Sequence, residues 1–162
     1  MRILAYVAIA FSASTVALAQ TPVKAQLVGT WKLVSIERTT HDGATSHDPK
    51  FGPHPRGYLM YEPDGHMCAE IMMPERAWPD PKNPSEKDKA AAFDGFLGYC
   101  GTYDLNAAET TVTHHPDVAW MPSWVGTPQP RPFRLTGNRL IITPADFDPN
   151  STKYVLTWER AK

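Results

Sequence analysis

Leu27-Val28-Gly29-Thr30-Trp31-Lys32-Leu33 is the stretch whose reading decides the fold. Gly29 has no side chain, so the backbone can bend there and another segment can approach closely. Trp31 adds a large apolar body with one N–H that needs an acceptor. Its counterpart lies at the far end of the chain, in Tyr154-Val155-Leu156-Thr157-Trp158-Glu159-Arg160. Two such strands meeting side by side, with Arg160 over the Trp31 indole, would close a sheet into a barrel. A guanidinium on an indole contributes about 1–2 kcal/mol when desolvated.

Working outward, Thr30 to Arg38 alternates loosely. Trp31, Leu33 and Ser35 fall on one face, and Lys32, Val34 and Ile36 on the other. Thr39 to Arg56 is rich in Gly, Pro, Asp and His and reads as a long loop, with Phe51-Gly52-Pro53-His54-Pro55 as an apolar anchor suited to closing over a barrel mouth. Gly57 to Tyr61 and Gly65 to Met73 flank Glu62-Pro63-Asp64-Gly65, the chemistry of a hairpin turn. After a proline-rich connection, Ser85 can cap a helix from Glu86 to about Phe96, with Asp88 at its third position. Ala91, Ala92, Phe93, Phe96 and Leu97 would form its apolar side, as a lid or plug at one barrel end. Gly98 to Leu105 and Thr110 to His115 form the next hairpin, ended by Pro116. Asp117 to Pro130 is a second long loop, and Phe133 to Thr136, Arg139 to Thr143 and Lys153 to Arg160 complete the chain. The expected fold is therefore all-β: an eight-stranded antiparallel up-and-down barrel with one short helix. A barrel of about eight strands holds side chains or one small ligand.

Residues 1–19 read as a signal peptide rather than as part of the fold. Arg2 precedes the apolar run Ile3 to Phe11, and Ala17-Leu18-Ala19 is an A-x-A cleavage pattern. The domain is then 20–162, and secretion or periplasmic export is expected. No segment reaches the ~18 apolar residues of a membrane span. The whole chain has 16 basic and 17 acidic residues, a net charge of −1, and removing Arg2 takes it to −2. That leaves no basic footprint for nucleic acid. Export makes a Cys68–Cys100 bridge conceivable. However, each cysteine sits early in its strand, so antiparallel pairing would place them at opposite ends of the ladder, and two separate buried thiols are the expectation.

The ordered set Gly29-Thr30-Trp31, Gly57-Tyr58-Leu59-Met60-Tyr61 with Asp64-Gly65, Tyr99-Cys100-Gly101-Thr102-Tyr103, His114-His115, Trp124-Val125-Gly126-Thr127, Arg131 with Phe133, Gly137-Asn138-Arg139-Leu140 and Trp158-Glu159-Arg160 resembles the lipocalin-like domain proteins of the calycin group. The resemblance covers nearly the whole chain after residue 19. It implies a lipocalin-like barrel that can hold a small apolar molecule, with Trp31 and Arg160 as the closure. It carries over no catalytic residue.

Candidate site residues follow from chemistry. His114 and His115 are neighbours on a strand, so one faces inward and one outward, and they cannot share a metal. The inward imidazole is either a general base or ligand-orienting group, or a buried His bonded to a carbonyl or phenol. Tyr61, Glu70, Tyr99 and Tyr103 are the other polar groups on central strands. Trp120, Met121, Trp124 and Arg131 surround the second loop, where aromatic rings and one guanidinium could grip an apolar ligand with an acidic head. Met60, Met72, Tyr99, Tyr103, Phe133, Leu140 and Leu156 are the expected walls. His41, His47, His54 and His66 with Asp42, Asp48 and Asp64 match no metal-site spacing, and no nucleotide, thiol or hydrolase fingerprint occurs, so no metal or cofactor is expected. The leading expectation is an exported binder of a small, mainly apolar ligand. The alternative is a barrel isomerase, cyclase or hydrolase using the inward His with Glu70 or a Tyr. A third class is an interaction module without a cavity, exposing an apolar patch at Trp120–Trp124.

Overall fold

A computed structural model describes residues 22–106, 108–144 and 151–162; the expected signal peptide lies outside them. Nine strands form one antiparallel sheet: β1 (Gly29–Thr40), β2 (Thr45–His47), β3 (Arg56–Tyr61), β4 (His66–Met72), β5 (Phe96–Leu105), β6 (Thr111–Ala119), β7 (Gln129–Thr136), β8 (Arg139–Ile142) and β9 (Ser151–Arg160). β1, β3 and the strands to β9 pair in sequence order, and β9 returns to β1, so eight strands close a barrel. The short β2 is an addition the loop composition did not reveal. It pairs with the end of β1 through Glu37, Arg38 and Thr39.

Closure follows the chemistry of the opening stretch. Trp31 and Arg160 are direct cross-strand partners, and the guanidinium lies 4.2 Å from the indole centroid. Arg160 Nη1 donates to Val28 O (2.9 Å), and Nη2 donates to Gln26 O. Trp31 Nε1–H donates to Leu27 O at 2.8 Å. Gly29 has φ +124°, and a Cβ there would sit 2.7 Å from Arg160 Nη1, so the guanidinium needs a residue without a side chain at this position. The short helix α1 (Val23–Leu27) ends in fully buried Leu27 and covers this end of the barrel. At five residues it is too short to show in a periodicity.

The Glu62–Gly65 hairpin forms as expected: Glu62 N–H donates to His66 O, and Gly65 takes φ +97°. Helix α2 (Glu86–Asp94) begins at Ser85 with a full capping box to Asp88. It stops earlier than expected and buries none of its residues, so it plugs nothing. Phe96 and Leu97 belong to β5 instead. What α2 does is brace the rim: Phe93 packs on Trp120 (5.0 Å between ring centroids), and Trp120 Nε1–H donates to Phe93 O.

Two bulges correct the face assignments. The β1–β9 register shifts between Leu33 and Ser35, leaving Val34 exposed and turning Ile36 inward with Trp31 and Leu33. The β5–β6 register shifts past Pro116, so β6 does not end there; Asp117 is the extra residue, and pairing resumes at Val118. β6 pairs with β7 from Thr111 as far as His114, so the missing N–H of Pro116 costs no ladder bond on that side.

Cys68 and Cys100 are also not separate. They face each other on one rung of β4–β5, Cα atoms 4.1 Å apart, joined by a disulfide. The ladder runs from His66–Thr102 to Met72–Phe96, which puts both cysteines near its middle.

Candidate functional site

The barrel interior divides into a packed end and a hollow end. Leu27, Trp31, Leu59, Tyr61, Met67, Val112, Leu140 and Trp158 are almost wholly buried and fill the first. At the other end lies a cavity of about 450 Å³. Ile36, Ile71, Leu97 and Leu156 give it an apolar wall, Trp120, Met121 and Trp124 one lip, and Asp48 to Phe51 the other. This volume lies within the roughly 300–1,000 Å³ of small-molecule sites.

Each lip has a local cause. The buried Asp48 carboxylate accepts from Lys50 N–H (2.8 Å) and Phe51 N–H (2.9 Å) through Oδ1, and from the Tyr154 hydroxyl (3.1 Å) through Oδ2. These bonds fix the loop and set Phe51 into the core, as its apolar anchor suggested. On the other lip, a 3-10 turn at Pro122–Trp124 places Trp124 edge-on to Tyr99 and Trp120. Lys50 lies 5.5 Å from the Trp120 ring centroid, so a cation–π contact spans the two lips.

Arg131 is buried and lines the cavity. Its Nη1 donates to Pro130 O and its Nη2 to Gln129 Oε1, both at 3.1 Å, and its guanidinium lies 5.9 Å from the Trp124 centroid. Its positive charge also bears on the neighbouring Tyr99 phenol. Beneath it is a small pocket of about 30 Å³ bordered by Tyr99, His114 and Arg131. Ile71, Leu97, Arg131 and Leu156 line both spaces.

His114 is the inward member of the pair. Its Nε2 lies 2.7 Å from the Tyr61 hydroxyl and its Nδ1 2.7 Å from the Tyr99 hydroxyl. Burial, then the positive charge of Arg131 and of His115, hold its pKa well below the usual imidazole range. Burial also raises the Tyr61 and Tyr99 phenols above their ordinary values, so all three groups are neutral at neutral pH. His115 points outward and pairs with Asp104.

The expected constellation is therefore only partly assembled. Tyr99, His114, Trp124 and Arg131 come together. Tyr61 joins through His114 from the packed end. Tyr103 is buried there too, but its hydroxyl donates to Glu62 O. Phe133 packs against the core, Leu140 sits within it, and neither borders the cavity. Glu70 is exposed on the outer face and cannot assist His114. Met60 and Met72, cross-strand from Cys68 and Arg56, also face outward and are not walls. Leu156 is a wall as expected, whereas Ile36 and Ile71 were missed. The cavity and the half-buried setting of Trp120 and Trp124 do not fit a module without an interior. Among the described residues no helix is long and apolar enough to cross a membrane, and no group of three His, Cys, Asp or Glu side chains could hold a metal.

The His114 environment gives stability a defined pH dependence. Its folded pKa is depressed, so the unfolded chain binds the proton first as pH falls. The associated stability is fully present above the unfolded value of about 6.5. Below it, stability is lost by up to ~1.4 kcal/mol per pH unit until the folded imidazole protonates. Urea unfolding at about pH 8 and about pH 5 should show this loss, and His114→Gln should flatten it. An equal slope in the variant would assign the loss to other groups.

An eight-stranded meander packed at one end and hollow at the other defines a lipocalin-type barrel. Residues 28–161 match the lipocalin-like domain family, and the chain belongs to that family. No curated protein matches it in sequence. Among solved structures, a point mutant of the fluorescent protein UnaG aligns at 13% identity over 84% of this chain and 96% of that one, with a TM-score of 0.39.

Proposed function

We propose that this protein is an exported binder of a small, mainly apolar molecule bearing an acidic head. The observation that carries the reading is the buried guanidinium of Arg131 on the lining of an otherwise largely apolar cavity. Among the described residues Arg38 and Lys50 line the same space, while the one lining carboxylate, Asp48, is engaged by its own loop and by Tyr154. The balance favours an anionic group on the ligand. Export is supported by the leader-like residues 1–19 and by the Cys68–Cys100 bridge, since disulfides persist in oxidising compartments. A chain beginning at Gln20 in the exported fraction would agree with export, and an intact Met1 chain confined to the cytosol would refute it.

The direct test is titration of purified protein with anilinonaphthalene sulfonate, an apolar fluorophore with an acidic group. Saturable enhancement, with a change in tryptophan emission from Trp120 and Trp124, is expected. Arg131→Met should weaken binding at least about ten-fold, because hydrogen bonds to charged groups contribute roughly 1.5–3 kcal/mol. Absence of saturable binding would refute the reading.

The enzymatic alternative has one supporting observation, the hydrogen bonds of His114 to two phenols. The imidazole borders the small pocket rather than the main cavity, and Glu70 is on the opposite face. The binding reading is therefore preferred.

A further inference from the structure

We propose that the Tyr61–His114–Tyr99 chain is polarised toward the cavity, so that Tyr99 presents its hydroxyl proton beside Arg131 to a ligand carboxylate oxygen. Tyr99 is then a specificity-determining residue, and His114 and Tyr61 are positioning residues acting through it. This rests on the binding function above and names the recognition of its acidic head.

A neutral imidazole has one N–H and one lone pair, and each phenol has one O–H. Three protons therefore serve two His–Tyr contacts, and one of them must point elsewhere. Which one depends on where an acceptor can be found. Tyr61 is fully buried at the packed end, borders neither the cavity nor the small pocket, and among the described residues has His114 Nε2 as its hydrogen-bond partner. If Nε2 carried the proton and donated to Tyr61, the Tyr61 O–H would be left buried without an acceptor. Such a group costs its full desolvation penalty.

The opposite arrangement has no such cost. Tyr61 O–H donates to Nε2, and Nδ1–H donates to the Tyr99 oxygen. The Arg131 guanidinium lines the same small pocket as that oxygen. The Tyr99 proton is the one left over, and Tyr99 borders the pocket of about 30 Å³ that shares its lining with the main cavity. One oxygen fits a space of that size. A Tyr O–H and a guanidinium converging there form a two-donor site for an oxygen that only accepts. A carboxylate meets both requirements, charge and hydrogen bonding, and an ester oxygen meets only the second.

The proton direction can be read without any ligand. Long-range ¹H–¹⁵N correlation on the labelled protein, with the His114 resonances assigned by their loss in His114→Gln, should show the proton on Nδ1. A proton on Nε2 overturns the proposal. Hexadecanoic acid and methyl hexadecanoate, each competing with anilinonaphthalene sulfonate, test the recognition. Tyr99→Phe should weaken the acid about ten-fold and the ester far less. Tyr61→Phe, which borders no ligand space, should reduce the same acid-over-ester preference by removing the O–H donor that holds Nε2 unprotonated. Equal weakening of acid and ester in Tyr99→Phe, with wild-type binding intact, overturns this inference alone. Wild-type protein that binds neither probe removes the binding function itself.

Discussion

Gly101→Ala is expected to abolish folding or lower Tm by more than about 10 °C, the largest single-residue effect in the molecule. Gly101 is buried on the inward face of β5, opposite Pro116 and beside the β6 bulge. A Cβ there would lie 2.0 Å from His115 O and 2.9 Å from Asp117 N. Both obstacles are backbone atoms, and neither can swing aside as a side-chain tip can. Relief would require pulling β6 off β5, which also carries His114 away from Tyr99. The cost is more than about 4 kcal/mol, in the range reserved for broken backbone geometry. Thr102→Ala, one residue on and exposed, is the control and should stay within about 0.5 kcal/mol. Thermal unfolding of the two variants decides the matter. A Gly101→Ala variant as stable as wild type would mean that β5 and β6 do not approach this closely.

Reduction of the Cys68–Cys100 bridge, or Cys68→Ser with Cys100→Ser, should cost about 3 kcal/mol without loss of the barrel. The bridge joins residues 32 apart and removes loop entropy from the unfolded chain, for which roughly 2–4 kcal/mol is typical. The rungs from His66–Thr102 to Met72–Phe96 hold the register without it. Urea unfolding with and without dithiothreitol should therefore show a lower midpoint and unchanged native circular dichroism. Identical midpoints would mean that the two sulfurs are not bonded in the native protein.

These two residues also show where the sequence stops being informative. Separating the cysteines depends on starting β5 at Gly98. In the structure α2 ends at Asp94 and β5 begins at Phe96, already paired with Met72. Where a strand begins, and with which rung, is set by what its neighbour offers, and local composition does not encode that. The bulges at Val34 and Asp117 behave the same way. Each reverses inward and outward for the residues beyond it, and neither leaves a pattern in a strand whose two faces are both partly apolar.

By itself the sequence determined the strand count of the barrel, the Glu62–Gly65 turn, the Ser85 cap and the meeting of Trp31 with Arg160. All of these rest on local chemistry or on features unique in the chain. It also determined that only one of His114 and His115 could be internal, because adjacent strand residues point to opposite faces. Tertiary structure decided which one, and with it the site. Met60 and Met72 lie on one face of the β3–β4 hairpin and Tyr61 and Ile71 on the other, so alternation offers two apolar faces and no means of choosing. Closure of β9 onto β1 selects the face carrying Tyr61 and Ile71, sends Glu70 to solvent, and brings Tyr99, His114 and Arg131 together from three strands. A curved sheet has only one inside, and which face becomes the inside is settled only when the barrel closes.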